Sequence, residues 1–181
     1  MPLVGSLPAT IERIGRDASA DDVRGLAMLL MDAVASGSGV SFMADLTLAD
    51  AETWWSKILT GSPERAIVLV ARDATGIAGT VQLQPAWAPN QPHRADIAKL
   101  IVHRRARRHG IGRALMVAIE QAASDSGFTL LMLDTCKGYD AERLYASTGW
   151  VRVGEVPNFA LNPDGSQCDT VFFYKELQAQ A

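Results

Sequence analysis

Residues 95–127, "ADIAKLIVHRRARRHGIGRALMVAIEQAASDSG", run from an extended segment through a basic turn with two glycines into an amphipathic helix. "ADIAKLIVH" reads as a strand, while in "IGRALMVAIEQAASDSG" Leu115, Ile119 and Ala122 share one stripe and Gly127 ends the pattern. Between them, "RRARRHGIGR" (104–113) sets Gly110 and Gly112 where a helix begins. Glycine lets the backbone approach a ligand closely, and the first amide N–H groups of a helix have no acceptor inside it. With the positive end of the helix dipole they form an anion site suited to a pyrophosphate, which Arg107, Arg108 and Arg113 would supplement. An exposed basic turn closing a helix start is the plainer reading of the same residues. A Walker A loop is excluded because no Gly-Lys-Ser or Gly-Lys-Thr follows. A dinucleotide fingerprint fits poorly, since its third glycine would fall at Leu115 and Asp134 belongs to the end of the next strand.

Working outward, "ATIERIG" is a short strand candidate, and "SADDVRGLAMLLMDAVA" is a helix with Ser19 as cap and Val23, Leu26, Leu30 and Val34 at helical spacing. "LADAETWWSKIL" follows Thr47 as N-cap and stops at Gly61, with the small-residue loop "SGSGVSFMAD" between the two helices. The period then becomes extended: "AIVLVAR" and "IAGTVQLQ" flank the turn "DATG" and predict a hairpin. A proline-rich loop, "PAWAPNQPH", leads into the strand of the opening stretch. Beyond its helix, "FTLLMLDT" reads as a buried strand, "AERLYASTG" as a short helix, and "WVRVGEV" and "CDTVFFYKEL" as closing strands. The order predicts an α/β or α+β sandwich around one mixed sheet, without the repeated alternation of a doubly wound fold.

The length of 181 residues predicts a single domain, 1–181, and 48% hydrophobic with 20% charged residues describes an ordinary globular chain. The net charge is −3, so the five arginines of 104–113 leave −8 for the rest. Positive charge this local argues for a small anionic ligand, and against a broad face for nucleic acid. Cys136 and Cys168 stand 32 residues apart without partners at metal-ligand spacing and read as free thiols; no metal site is expected. "MPLVGSLPAT" lacks a charged region followed by an apolar run, and no stretch reaches about 18 consecutive apolar residues. The expectation is a cytoplasmic protein with no membrane partner.

"RRHGIG" (107–112) matches Arg or Gln, two residues, Gly, any residue, then Gly or Ala, the acyl-CoA motif of the GNAT superfamily of N-acetyltransferases. "KLIVH" before it and "ERLYASTGW" after it follow the same family's pattern, so the chain resembles that superfamily over residues 64 to 154 or so. More narrowly, "SGSGVSFMADL", "RADIAKLIVH", "LLMLDT" and "RVGEVPNFALNPDG" look similar to its tabtoxin-resistance type. The resemblance implies a mixed, mostly antiparallel central sheet flanked by helices, and acetyl-CoA as acetyl donor. It implies donor contacts from Leu100, Ile101, Val102, Arg107, Arg108, His109, Gly110, Ile111, Gly112, Arg113 and Tyr145. In it, the N–H of Leu100 bonds the thioester oxygen, and Val102 bonds the pantetheine amides as if to a further strand.

Acetyl transfer also needs a neutral amine and a proton for the leaving thiolate. Asp96 stands where the family often has a glutamate base, and its shorter side chain favours a water relay. Four residues before Leu100, it is expected on the same face of the strand. Asp134 offers a second carboxylate. Each has a plainer alternative: a salt-bridged aspartate for Asp96, a turn cap for Asp134. Tyr145 is implied as the general acid, while the asparagine common seven residues earlier is Gly138 here. "SGSGVSFMAD", Asp45, Trp54 or Trp55, and Trp87 are candidates for the acceptor site; adjacent Trp54 and Trp55 cannot both face one pocket. Three classes compete: an acetyltransferase for a small-molecule amine such as an amino acid-like toxin, antibiotic or metabolite; one for a protein lysine or N-terminal amine; and a non-enzymatic acyl-CoA or nucleic-acid binder. The first is expected, and a homodimer is compatible with it.

Overall fold

The computed structural model describes residues 9–178; most of the N-terminal stretch read above for a targeting signal lies outside them. A seven-stranded sheet runs in the order β1-β2-β3-β4-β5-β7-β6. Its strands are β1 (Thr10–Ile14), β2 (Ile67–Asp73), β3 (Gly76–Pro85), β4 (Arg94–Val102), β5 (Leu130–Cys136), β6 (Val151–Leu161) and β7 (Gln167–Glu176). Every neighbouring pair is antiparallel except β4 and β5. That exception is the strand-helix-strand unit of the opening stretch, because a parallel pair needs a crossover. The mixed sheet flanked by helices is the predicted architecture.

Helices α1 (Ala20–Ala35) and α2 (Leu48–Gly61) cover one face, and α3 (Ile111–Asp125) and α4 (Asp140–Ser147) the other. Ser19 caps α1 in a reciprocal box: its Oγ accepts from Asp22 N–H at 3.1 Å, and the Asp22 carboxylate accepts from Ser19 N–H at 2.9 Å. Thr47 caps α2 through Asp50 N–H. The α1–α2 core holds Leu26, Leu30, Trp55 and Val70, and the α3–α4 core holds Leu115, Met116, Ile119, Phe128 and Phe173. Among the described residues no helix is long and apolar enough to cross a membrane.

The structure corrects the reading of the cysteines. Cys136 ends β5 and Cys168 begins β7, and the antiparallel register that sets Cys136 opposite Thr170 brings their Cα atoms to 5.9 Å, where they form a disulfide. They are not free thiols, and a reduced compartment loses its support from them.

Candidate active site

The register around β4 creates the site. Thr80 pairs with Ile101 and Gln82 with Ala98, so Val81 alone faces Lys99 and Leu100. This is a β-bulge, and Lys99 takes the left-handed value φ +52° within it. A bulge bends its strand. The parallel pairing of β4 with β5 ends at Asp96 and Met132, although β4 continues to Val102 and β5 to Cys136, so the sheet opens between them.

His103 N–H donates to Ala78 C=O at 2.9 Å, so Val102, one residue earlier, turns its own N–H and C=O away from β3 and into that opening. Leu100, two residues back, shares the direction. The C=O of Val102 accepts from Arg107 Nε at 3.1 Å. The bulge also corrects the expected facing of Asp96. Ala95 and Ile97 belong to the α3 side, which puts Asp96 on the α1–α2 side, whereas the extra residue returns Leu100 and Val102 to the α3 side. Asp96 and Leu100 therefore lie on opposite faces.

At the start of α3, Gly110 occupies the N-cap at φ +81° and provides no side-chain cap, unlike Ser19 and Thr47 on α1 and α2. The first N–H groups of α3, those of Ile111, Gly112 and Arg113, are left as donors for a ligand. Arg108, at φ +68°, gives the preceding turn a second left-handed residue, and His109 is exposed beside it. The arginines divide by role. Arg104 pairs with Asp32, and Arg105 pairs with Asp73, whose carboxyl it holds down at about 2. Arg107 braces Val102 and donates to Ser36 Oγ at 3.0 Å. Arg108 and Arg113 remain at the α3 entrance, Arg108 82% exposed and Arg113 donating to Ser147 Oγ at 2.9 Å. An uncapped helix start flanked by two such arginines fits the pyrophosphate of acetyl-CoA.

Asp134 joins the remaining groups. It follows Leu131 and Leu133, which belong to the α3 side, so it projects to the α1–α2 side with Asp96. It keeps contact with solvent, yet surrounding protein raises its pKa; Lys99 opposes that rise and Asp96 adds to it. Asp96 itself accepts from Arg94 at 2.6 Å, as in its plainer reading. Tyr145 lies in the other core, 5% exposed, with its pKa pushed up by burial and then by Asp134. Its hydroxyl has no hydrogen-bond partner among the described residues. Gly138 takes φ +83° and donates its N–H to Glu142 at 2.8 Å, a backbone conformation that explains glycine there.

Of the acceptor candidates, Trp55 is fully buried in the core, and Trp87 is 91% exposed. Trp54 stacks edge-on with Phe42 of the α1–α2 loop, at 5.2 Å between centroids, and faces Lys99. Asp45 is exposed on that loop. The sequence reading passed over Lys99, whose Nζ donates to Ser41 Oγ at 3.0 Å and sits 5.7 Å from the Trp54 ring. A lysine inside an otherwise apolar strand run, "IAKLIV", was the available signal. A cavity of about 390 Å³, lined by Arg13, Ile58 and Pro63 among others, includes none of these groups.

A sheet opened between two parallel strands, with an uncapped helix start and carboxylates beside the opening, is the arrangement expected from the sequence of an acyltransferase. The model of the GNAT acetyltransferase family matches residues 37–150. An uncharacterized N-acetyltransferase in the hisH–hisA intergenic region of Azospirillum brasilense is 37% identical over 127 residues, 69% of this chain and 74% of that protein. The chain belongs to the GNAT acetyltransferase family. Its fold matches an N-acetyltransferase from Staphylococcus aureus (TM-score 0.78, 17% identity, 94% of this chain and 99% of that one). It also matches a Salmonella typhimurium acetyltransferase determined with its cofactor acetyl-CoA (TM-score 0.76, 18% identity, 96% of each chain). The protein is thus an acetyltransferase of this family.

Proposed function

We propose that the enzyme acetylates the primary amine of a small molecule, an amino acid-like toxin, antibiotic or metabolite, by direct attack in a ternary complex. One observation carries this reading: the opening between β4 and β5 has Asp96 and Asp134 on one face and Tyr145 on the other, with Leu100 and Val102 at its edge. Acetyl-CoA supplies an acetyl group activated as a thioester. The N–H groups of Ile111, Gly112 and Arg113, with Arg108 and Arg113, hold its pyrophosphate, and Val102 N–H holds the pantetheine arm.

Leu100 N–H donates to the acyl oxygen. Asp134, with Asp96 beside it, takes the proton of the acceptor ammonium, directly or through water, so the amine can attack. As the N–C bond forms and the C–S bond breaks, Tyr145 gives its proton to the departing sulfur, and the nitrogen's second proton passes through water to restore the tyrosine hydroxyl. A pKa raised by burial keeps that proton in place until it is needed. The likeness to the tabtoxin-resistance type supports a free amino acid-like acceptor over a protein amine.

The test is calorimetry with acetyl-CoA and, separately, with a short DNA duplex, followed by thiol release against small amines and against peptides with a free lysine or N-terminus. We expect acetyl-CoA to bind, DNA to be ignored and small amines to turn over faster. Absence of acetyl-CoA binding overturns the site; faster turnover of peptides overturns the acceptor class.

A further inference from the structure

Lys99 is the feature that this mechanism leaves unused. Its backbone sits at φ +52°, a left-handed region that a non-glycine residue rarely adopts unless its surroundings enforce it, here the bulge. The result is a lysine on the acceptor side of the opening, next in sequence to Leu100. Its Nζ reaches Ser41 Oγ at 3.0 Å and lies 5.7 Å from the Trp54 ring.

Of the other lysines, Lys57 is exposed on α2 and two are paired. Lys137 pairs with Glu155 at 3.1 Å and Lys175 with Glu120 at 2.7 Å. Lys99 is half-buried, and its one hydrogen-bond partner among the described residues is a neutral hydroxyl. Among the described residues no ion pair joins Lys99 to a carboxylate, and a partly buried cation is costly unless it is closely paired. Burial lowers the Lys99 pKa, and the field of Asp134 only partly offsets this. The ammonium thus faces the acceptor space bonded to one neutral hydroxyl, with Asp134 acting on it only through its field. On the same face, Asp96 and Asp134 supply the opposite charge.

We infer that the acceptor carries a carboxylate as well as an amine, and that Lys99, steadied by Ser41 and Trp54, is the residue that binds the carboxylate and selects such acceptors. The inference rests on the small-molecule reading above and deepens it. Asp134 and Asp96 then hold the amine end toward the opening while Lys99 holds the carboxylate end toward the α1–α2 loop. A neutral amine of the same size leaves Lys99 unmatched and is disfavoured. A protein lysine, with no free carboxylate, is disfavoured in the same way.

The experiment compares matched triplets: each of the twenty amino acids, its primary amide and its decarboxylated amine, at saturating acetyl-CoA, with wild-type enzyme, Lys99→Gln and Lys99→Arg. Acetyl-CoA affinity is measured in parallel by calorimetry. We expect kcat/KM for the best amino acid to exceed that for its amide by about 10- to 100-fold, the range for a hydrogen bond to a charged group. In Lys99→Gln that preference falls to near unity, chiefly through KM, while acetyl-CoA affinity and the melting temperature hold; Lys99→Arg recovers part of it. Equal use of amino acid and amide by the wild type, acetylation of no amino acid, or an undiminished preference in Lys99→Gln overturns the inference. Loss of wild-type acetyl-CoA binding instead marks failure of the underlying enzyme reading.

Discussion

Tyr145 packs its ring against Trp150 and Phe173, with centroids 6.0 and 5.8 Å away, while its hydroxyl bonds to no described residue. Stability at this position therefore comes from the ring, and the proposed proton donation from the hydroxyl. Tyr145→Phe keeps the first and deletes the second. We predict a melting temperature within about 2 °C of wild type, unchanged acetyl-CoA affinity, and a kcat lower by about 100-fold, the lower end for a lost general acid. Paired thermal melts, calorimetry and turnover assays check it; an unchanged kcat makes the tyrosine structural. Tyr145 was singled out because it sits in the motif "LYASTGW", and Gly110 and Gly112 because they sit in "RRHGIG". Lys99 was not. Its significance depends on a one-residue slip between β3 and β4, which brings it to Ser41, 58 residues away, and no local pattern records that contact.

In the proposed function helix α3 acts through its uncapped N-terminus, and this makes Gly112 the position where stability and binding pull apart. A Cβ there would meet Leu144 Cδ2 at 3.5 Å and Val102 Cγ2 at 3.7 Å, which is ordinary contact. Gly112→Asp gains helix propensity, and a carboxylate in the first turn is favoured by the helix dipole, each by several tenths of a kcal/mol or more, roughly 1 kcal/mol together. The same carboxylate occupies the anion site. We predict a variant at least as heat-stable as wild type whose acetyl-CoA affinity is down by about 100-fold or more, measured by calorimetry and thermal melts. Affinity like that of wild type would remove the phosphate from the α3 entrance. The elements themselves were readable from period and punctuation: caps at Ser19 and Thr47, a stop at Gly127, and the turn before Gly76 all stand where the sequence put them. Two features were not. The bulge in β4 changes no composition, so strict alternation placed Asp96 and Leu100 on one face. Strand β6 runs on to Leu161, past Pro157 and Asn158, which resemble a turn. Asn158, at φ +55°, instead sits in a register break between Val156 and Ala160, where Asp169 accepts its N–H at 2.9 Å and the strand resumes.

Across the whole molecule, the disulfide ties the end of β5 to the start of β7 and closes a loop holding α4, with Tyr145, and all of β6. Its separation of 32 residues conceals it in the sequence, because the β5–β7 register alone brings the sulfurs together. The bond also lies against the α1–α2 loop. Tyr139 Oη donates toward Gly37 C=O and Asn162 Oδ1 at 2.8 and 2.9 Å, and a Cβ at Gly39 would stand 2.9 Å from Cys136 Sγ, so only glycine lets the loop lie this close. Closing a loop of this length in the unfolded chain is worth about 3–4 kcal/mol by chain entropy. For a domain of this size that corresponds to a fall of roughly 10 °C in melting temperature when the bond is lost. Thermal melts with and without reductant, and of a Cys136→Ser, Cys168→Ser double variant, test the figure, with mass spectrometry after thiol alkylation reporting the state of the bond. The β5–β7 ladder pairs every residue from Leu130 to Cys136 without the disulfide. Acetyl-CoA affinity of the reduced enzyme should therefore stay unchanged well below its melting temperature, so that the bond acts on stability and not on donor binding. A melting temperature indifferent to confirmed reduction would mean that the segment from Cys136 to Cys168 is already held by its strand pairing, and that the cross-link contributes nothing to the fold.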